Sequence, residues 1–340
     1  MSYITESIVL LLAASLDYLI GDPWGWPHPV RVMGWIITQW TQLVITHCHR
    51  KWQRRLAGVG LGIGLVLGSG WIGWLIIQGA NWLNPIFGIA LEAVMLASCL
   101  AGRSLRKAAV DVLKPLSSGQ LDIARSQLSL YVGRDTEKLS QPEILRAILE
   151  TVTENATDGV MAPLFYGIVG AFLPGVGSVP LAFAYKAAST LDSMVGYREE
   201  PYQDLGWFSA KLEDYLTWLP CRLVVITLAL WSGKPQKVLS LCRRDGVKDP
   251  SPNSGWSECA FAAILDVQMG GTNWYRGVAK DKPLLGDSVE PITEQKIYQA
   301  LGLTRYSILI WLLLAIAIQI AIFSDRTLEF SLWHNFLSTN

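Results

Sequence analysis

The chain has 340 residues, 51% of them hydrophobic and only 16% charged, with a formal charge of zero and a mean hydropathy of +0.31. Soluble domains run nearer a quarter charged, so this balance argues against an ordinary water-soluble domain and for the bilayer. No run of Lys/Arg alternates with stacking aromatics, which removes the electrostatic footprint of a nucleic-acid binder.

In chain order, residues 4 to 20 are apolar, lack an N-terminal basic residue and have no small-residue cleavage site, so they read as a retained membrane segment rather than a signal peptide. Asp17 lies inside this run, where a charge is costly unless paired, and Gly21-Asp-Pro-Trp-Gly-Trp-Pro-His-Pro29 follows. Asp22 and His28 fit metal or acid/base roles, and the same Pro-Trp turn fits a headgroup-level anchor. Residues 30 to 46 carry a thin polar stripe and fit either an interfacial or a spanning helix.

Further apolar stretches fall at about 56 to 78, 83 to 101, 160 to 188, 218 to 232 and 305 to 323, several close to the roughly 20 residues that a span requires. Five or six helices of the chain are expected in the membrane. The glycines of 56 to 78 match no GxGxxG or P-loop pattern; Gly60, Gly64 and Gly68 recur every four residues, a spacing that lets another helix approach closely. Basic residues cluster at 47 to 55 and again at Arg103, Arg106 and Lys107, which makes 56 to 101 a hairpin with its tip near Asn81 to Pro85 outside and puts 102 to 157 in the cytoplasm. Pro174-Gly-Val-Gly177 and Pro180 break 160 to 188 into two half-helices or a re-entrant hairpin. If 218 to 232 spans, the polar segment 233 to 304 changes side; Lys234, Lys237, Arg243 and Arg244 favour keeping it inside. Both long polar segments read as partly helical. Five scattered cysteines without a CxxC spacing read as isolated thiols, and His47 and His49 diverge on a helix, which suits a basic turn better than zinc.

Three further blocks carry polar chemistry. Glu150, Glu154 and Asp158 sit four apart on one helix face and lead into an apolar stretch; like charges so spaced suit a partner such as Mg²⁺, against the plainer reading of a solvated acidic face. Lys186 and Leu191-Asp-Ser-Met-Val-Gly-Tyr-Arg198 place ionisable groups at the end of an apolar segment: Asp192 for a metal or substrate, Lys186 and Arg198 for phosphate, or else a snorkelling lysine and a buried ion pair. Arg244-Asp-Gly-Val-Lys-Asp-Pro-Ser-Pro-Asn-Ser-Gly-Trp-Ser-Glu258 is a Pro/Gly loop entering a helix, a plausible anion site or a plain capped loop.

Taken in order, Asp17-Tyr-Leu-Ile-Gly-Asp-Pro, Pro27-His-Pro, Glu154-Asn-Ala-Thr-Asp-Gly, Ala162-Pro-Leu-Phe-Tyr, Thr190-Leu-Asp-Ser-Met-Val-Gly-Tyr-Arg and Pro250-Ser-Pro-Asn-Ser-Gly-Trp resemble the CobD/CbiB family, the adenosylcobinamide-phosphate synthases of cobalamin biosynthesis. The resemblance covers nearly the whole chain. It implies an all-α, polytopic membrane bundle, a single unit over 1–340, in the plasma or inner membrane. It further implies an ATP-dependent, Mg²⁺-requiring amide synthase that joins the corrinoid adenosylcobyric acid to 1-amino-2-propanol or its phosphate. On that reading Glu150, Glu154, Asp158 and Asp192 hold Mg²⁺; Glu154, Asp192, Lys186 and His28 are catalytic; and Asp22, Asn155, Ser193, Arg198, Asp245, Lys248 and Asn253 contact substrate. Self-association as a homo-oligomer stays open. Two rivals remain: a CDP-alcohol-type phosphotransferase, since Asp158-Gly-Val-Met-Ala162 begins like its signature but has Pro163 in place of Arg, and a non-catalytic transporter or sensor, for which related AmpE-like proteins are a precedent.

Overall fold

Proline, asparagine and glycine cut the apolar runs into helices. The structure is a computed structural model describing residues 3–21 and 28–338, and it is all-α apart from one two-stranded ribbon. The first half contains α1 (Tyr3–Leu19), α2 (Pro29–His47), α3 (Lys51–Leu83), α4 (Pro85–Ala97), α5 (Gly102–Ser117), α6 (Leu121–Leu128) and α7 (Gln141–Asn155). A π-turn, Ala156–Met161, leads into α8 (Ala162–Phe172), followed by α9 (Ser178–Val195), α10 (Trp207–Trp231), α11 (Pro235–Arg244) and α12 (Ser254–Leu265). The antiparallel strands β1 (Met269–Tyr275) and β2 (Val278–Leu285) precede α13 (Glu294–Ser338).

Four described segments are long and apolar enough to cross a membrane: Lys51–Leu83, Pro85–Ser117, Trp207–Trp231 and Glu294–Ile322. The hairpin expected at 56 to 101 is formed by α3 and α4, which pack against each other. Its tip is sharp because Asn84 Oδ1 accepts from the Ile86 and Phe87 N–H groups at 2.8 and 3.2 Å, and Pro85 occupies a position whose N–H would be unsatisfied in any case.

The break at 173 to 177 is a tight turn, and 160 to 188 forms two helices, α8 and α9, that pack against each other. The turn itself is exposed at 173–175, and side chains of neighbouring helices bond the backbone at and just after it. Trp74 Nε1 donates to Gly175 O at 2.8 Å, Ser178 N donates to Glu92 Oε1 at 2.9 Å, and Ser178 Oγ donates to Glu6 Oε2 at 3.1 Å.

The glycine stripe differs from expectation. A Cβ on Gly60, Gly64 or Gly68 would meet nothing within 4 Å, so these three face open space. The close approaches are made from a neighbouring face of α3: Gly58 against Leu205 O, Gly62 against Phe208, and Gly70 against Pro180 O. A four-residue period identifies a face of small residues, but does not say whether a partner covers it.

The side of segment 233 to 304 is fixed relative to 102 to 157 by direct bonds. Arg134 Nη1 donates to Asn273 Oδ1 at 2.8 Å, Arg146 donates to the Gly270 and Thr272 carbonyls, and Gly270 N donates to Glu150 Oε1 at 2.8 Å. Both polar segments therefore lie on one face of the bundle. The course of α10 agrees: Arg55 at the start of α3 lies over Trp207 at one end, and Tyr306 stacks on Trp231 at the other. Although α10 is long and apolar enough to span, it does not carry the following segment to the opposite face.

Segment 233 to 304 is helical in part, as expected, in α11, α12 and the start of α13, and the ribbon fills the stretch between α12 and α13. Arg276 and Gly277, both at positive φ (51° and 77°), make the two-residue hairpin turn that matches the strand twist.

Candidate functional site

Where α7, α9 and α10 approach the ribbon, a cavity of about 570 Å³ opens on the face that carries both polar segments. Its walls bring together Glu154 and Asp158 from α7 and the π-turn, Asp192 from α9, Glu213 and Asp214 from α10, Asp249 from the loop before α12, and Asp281 from β2. Arg134, Arg198, Lys280 and Lys282 also line it. Seven carboxyl groups offer hard oxygen ligands to a cation that can displace their protons, while the four basic groups supply donors for anionic oxygens.

The π-turn is what aims the acidic pair. Its wider i→i+5 bonding interrupts the helix ladder beside the cavity, a placement typical of working sites. Hydroxyls then satisfy the freed backbone: Ser257 Oγ donates to Thr153 O at 2.7 Å and lies 2.6 Å from Thr157 Oγ1, and Tyr185 Oη donates to Asp158 O at 3.3 Å. Burial raises the Glu154 carboxyl above its ordinary range, with Lys282 opposing. Burial also raises Asp158 well above its range, and the neighbouring carboxylates Glu213, Glu154 and Asp192 add to it.

Behind the wall stand fully buried carboxylates that hold its cations. Lys282 Nζ donates to Glu258 Oε1 and Oε2 at 2.6 and 2.8 Å. Burial alone would lower the Lys282 ammonium, but Glu258, Glu154 and Glu150 outweigh it, and its pKa is raised. Arg134 Nη2 donates to Glu150 Oε2 at 2.6 Å.

Of the residues singled out in the sequence, Glu154, Asp158, Asp192 and Arg198 meet in this cavity. Glu150 does not line it: its carboxylate is 2% exposed and committed to Arg134, Arg146 and Gly270 N. Glu150 and Glu154 both lie in regular α7, but Arg134, Arg146 and β1 cover Glu150, so only Glu154 and, across the π-turn, Asp158 reach the cavity. Among the described residues no group of three or more His, Cys, Asp or Glu side chains is close enough to hold a metal ion by itself; of the four carboxylates that the resemblance assigns to Mg²⁺, Glu154, Asp158 and Asp192 line the cavity and Glu150 does not.

Other expected residues lie elsewhere. Lys186 is part-way along α9 and outside the cavity wall, and Ser193 turns its hydroxyl back to Thr190 O at 2.9 Å. Asn155 is exposed and donates to Thr151 O at 2.9 Å. His28 caps α2, its Nδ1 accepting from Val30 N at 3.3 Å. Asp245 accepts from Arg244, Lys248 and Gly286 N, forming with Lys248 a clamp on the 244–249 loop; these hydrogen bonds overcome the raising effect of burial and hold the Asp245 carboxyl down at about 2. Asn253 Nδ2 donates to Asp214 O at 2.8 Å, so it supports the wall without lining it. Asp22 falls outside the described residues.

Arg134, Glu213, Asp214, Lys280 and Lys282 line the cavity and were not singled out. The turn signal Arg276-Gly277, flanked by Thr-Asn-Trp-Tyr and Val-Ala-Lys, would have revealed the ribbon and with it Lys280 and Lys282. Arg134 sits in a turn with no local pattern.

Comparison with known proteins gives the family. Residues 10–304 match the family model described as CobD/Cbib protein. The chain is 52% identical over 324 residues to a Synechocystis sp. protein named cobalamin biosynthesis protein CobD, covering 95% of each chain. It is 40% identical to cobalamin biosynthesis protein CbiB of Salmonella arizonae, covering 86% of this chain and 91% of that one. With cobalamin biosynthesis protein CobD of Halalkalibacterium halodurans the identity is 37%, over 89% and 93% of the two chains. No solved structure matches. With a family model spanning most of its length and relatives this similar over nearly their whole extent, the chain belongs to the CobD/CbiB family.

Proposed function

We propose that this chain is a membrane enzyme of cobalamin biosynthesis that forms an amide between adenosylcobyric acid and 1-amino-2-propanol or its phosphate, with ATP and Mg²⁺. The observation that carries the reading is the cavity in which Glu154, Asp158 and Asp192 face Arg134, Arg198 and Lys282. Amide formation from a carboxylate needs both kinds of group: cations to neutralise phosphate and acyl oxygens, and carboxylates to hold a metal and receive the amine proton.

The donor set fits Mg²⁺. This ion takes hard oxygen ligands and is commonly bound through one or two carboxylates plus substrate phosphates and waters, so a preassembled protein cage is not required. Glu154, Asp158 and Asp192 are the residues that would hold it, where it would neutralise the transferring phosphate. Glu150, held by its arginines, orients Arg134 instead.

In the proposed reaction the corrin carboxylate oxygen bonds to the γ-phosphorus of ATP as the bond to ADP breaks. The amine nitrogen then bonds to the acyl carbon and inorganic phosphate leaves, with the amine proton passing to a cavity carboxylate. Lys282, Arg134 and Arg198 stabilise the negative charge that develops on the phosphoryl and acyl oxygens. Both polar segments belong on the cytoplasmic side, where ATP is found, because the basic clusters at 47 to 55 and 103 to 107 flank the same face. The protein would then be multi-pass in the cell membrane.

The test is amide formation by purified protein with both substrates, ATP and Mg²⁺. Glu154→Ala and Asp192→Ala should each lower the rate by about 10²-fold or more, while Lys248→Ala, outside the wall, should leave it near wild type. Wild-type rates from the first two variants would defeat the assignment.

A further inference from the structure

A second cavity, apolar and remote in character from the first, runs between α1 and α13 with a volume of about 670 Å³. Its floor is made of buried Leu100, Leu105, Leu164 and Leu312, and Leu11 and Leu309 form exposed rims on the two helices. Its mouth is cationic and aromatic. Arg106 lies 4.7 Å from the centroid of the Tyr18 ring and donates to Tyr18 O at 3.3 Å; Arg305 lies 5.5 Å from the centroid of the Tyr306 ring and also bonds the Tyr18 side chain.

Neither Arg106 nor Arg305 is in an ion pair among the described residues. Asp17 also lines the groove, but it is 6% exposed and accepts from Arg103 N at 3.4 Å at the start of α5. Two guanidinium groups thus converge on one phenol at the top of an apolar trough. From Arg305 to Leu312 the trough descends about 10 Å along the helix, a depth suited to an acyl chain. Tyr and Arg at this level are the side chains that mark a bilayer interface.

We propose that this groove is a binding site for one anionic phospholipid, its phosphate on Arg106 and Arg305 and its acyl chain between α1 and α13. Charge complementarity selects the occupant: a neutral hydrocarbon would leave the guanidiniums uncompensated, and a free phosphate would leave the trough unfilled. The site lies outside the polar cavity, so it stands independently of the proposed reaction.

The experiment uses full-length protein in detergent, stripped of lipid, with binding followed by native mass spectrometry and by thermal unfolding. Phosphatidylglycerol should bind as a single retained molecule and raise the unfolding temperature, with phosphatidylcholine and inorganic phosphate at least tenfold weaker. Each basic residue near an anionic headgroup changes affinity by about fivefold. Arg106→Gln/Arg305→Gln should therefore weaken phosphatidylglycerol by about 25-fold. Gly302→Trp should block the trough, since a Cβ there meets nothing within 4 Å and the ring can occupy the groove without disturbing the fold. Equal binding of the two lipids with no response to either variant would show ordinary annular contact and overturn the proposal. Phosphate binding as tightly as phosphatidylglycerol would overturn the lipid as occupant.

Discussion

Lys282 places its ammonium between both oxygens of Glu258, at 2.6 and 2.8 Å, and Glu258 is fully buried while Lys282 remains 22% exposed towards the cavity. The carboxylate on α12 thereby fixes a cation that β2 carries to the cavity wall. Lys282→Met leaves an uncompensated buried carboxylate and should destabilise the protein by about 3–5 kcal/mol. Adding Glu258→Gln to that variant should restore much of the stability, whereas activity should stay low because the cavity has lost its cation. Thermal unfolding in detergent, read beside amide formation, separates the two effects; a double variant with wild-type activity would remove Lys282 from the proposed mechanism.

Glu154 and Asp158 are both raised by burial, so the folded state without a bound cation holds protons that the unfolded chain has already released. Between the unfolded carboxylate range, about 4, and the raised folded values, stability from these two groups falls as pH rises. A divalent cation competes with those protons. Mg²⁺ with nucleotide should therefore raise the unfolding temperature more at pH 8 than at pH 5.5, and Glu154→Gln should remove most of that difference. Asp245 acts in the opposite sense: held at about 2 by Arg244 and Lys248, it contributes stability that is complete above about 4 and is lost as pH falls through 2. A Mg²⁺ shift that is equal at the two pH values would detach the cation from this pair.

Much of the bundle could be read from the chain because span length and Pro/Asn/Gly punctuation are local properties: the α3–α4 tip at Asn84-Pro85 and the break at Pro174 to Gly177 both fall where residue chemistry requires them. Asp158 and Asp192 were readable for a related reason, since charges beside apolar runs are costly and stand out. Glu150 was misleading because helical spacing predicts a shared face but not what covers it: Arg134, Arg146 and Gly270 N enclose its carboxylate. Arg134 and Lys282 were hidden because their importance comes from tertiary partners, Glu150 and Glu258, which lie 16 and 24 positions away.

The glycines of α3 give a packing prediction with an internal control. Gly58→Ala drives a methyl group into Leu205 O, a backbone atom that cannot rotate away, and should destabilise by about 1–3 kcal/mol. Gly60→Ala and Gly64→Ala meet nothing and should be neutral or slightly stabilising, because alanine is the better helix former by about 1 kcal/mol. Unfolding temperatures of the three single variants decide it. A loss at Gly60 comparable with that at Gly58 would mean that another surface, such as a second copy of the chain, covers the open stripe.

Arg134 is anchored on one side by Glu150 at 2.6 Å and on the other by Asn273 Oδ1 at 2.8 Å, so it joins α7 to β1 as well as lining the cavity. Removing the buried carboxylate frees this guanidinium to take other conformations, but a neutral amide of the same shape can still accept one of its hydrogen bonds. Glu150→Gln should accordingly retain the fold and lower the amide-forming rate by about tenfold, chiefly through the maximal rate if Arg134 acts on charge that develops during reaction. Glu150→Ala should additionally lose about 2–4 kcal/mol, because Gly270 N and both arginines lose their acceptor in a site closed to water. If Glu150 were instead a direct metal ligand, Glu150→Gln would raise the Mg²⁺ concentration needed for half-maximal rate. Titrating Mg²⁺ against rate in the Gln variant therefore distinguishes a residue that positions Arg134 from one that binds the ion.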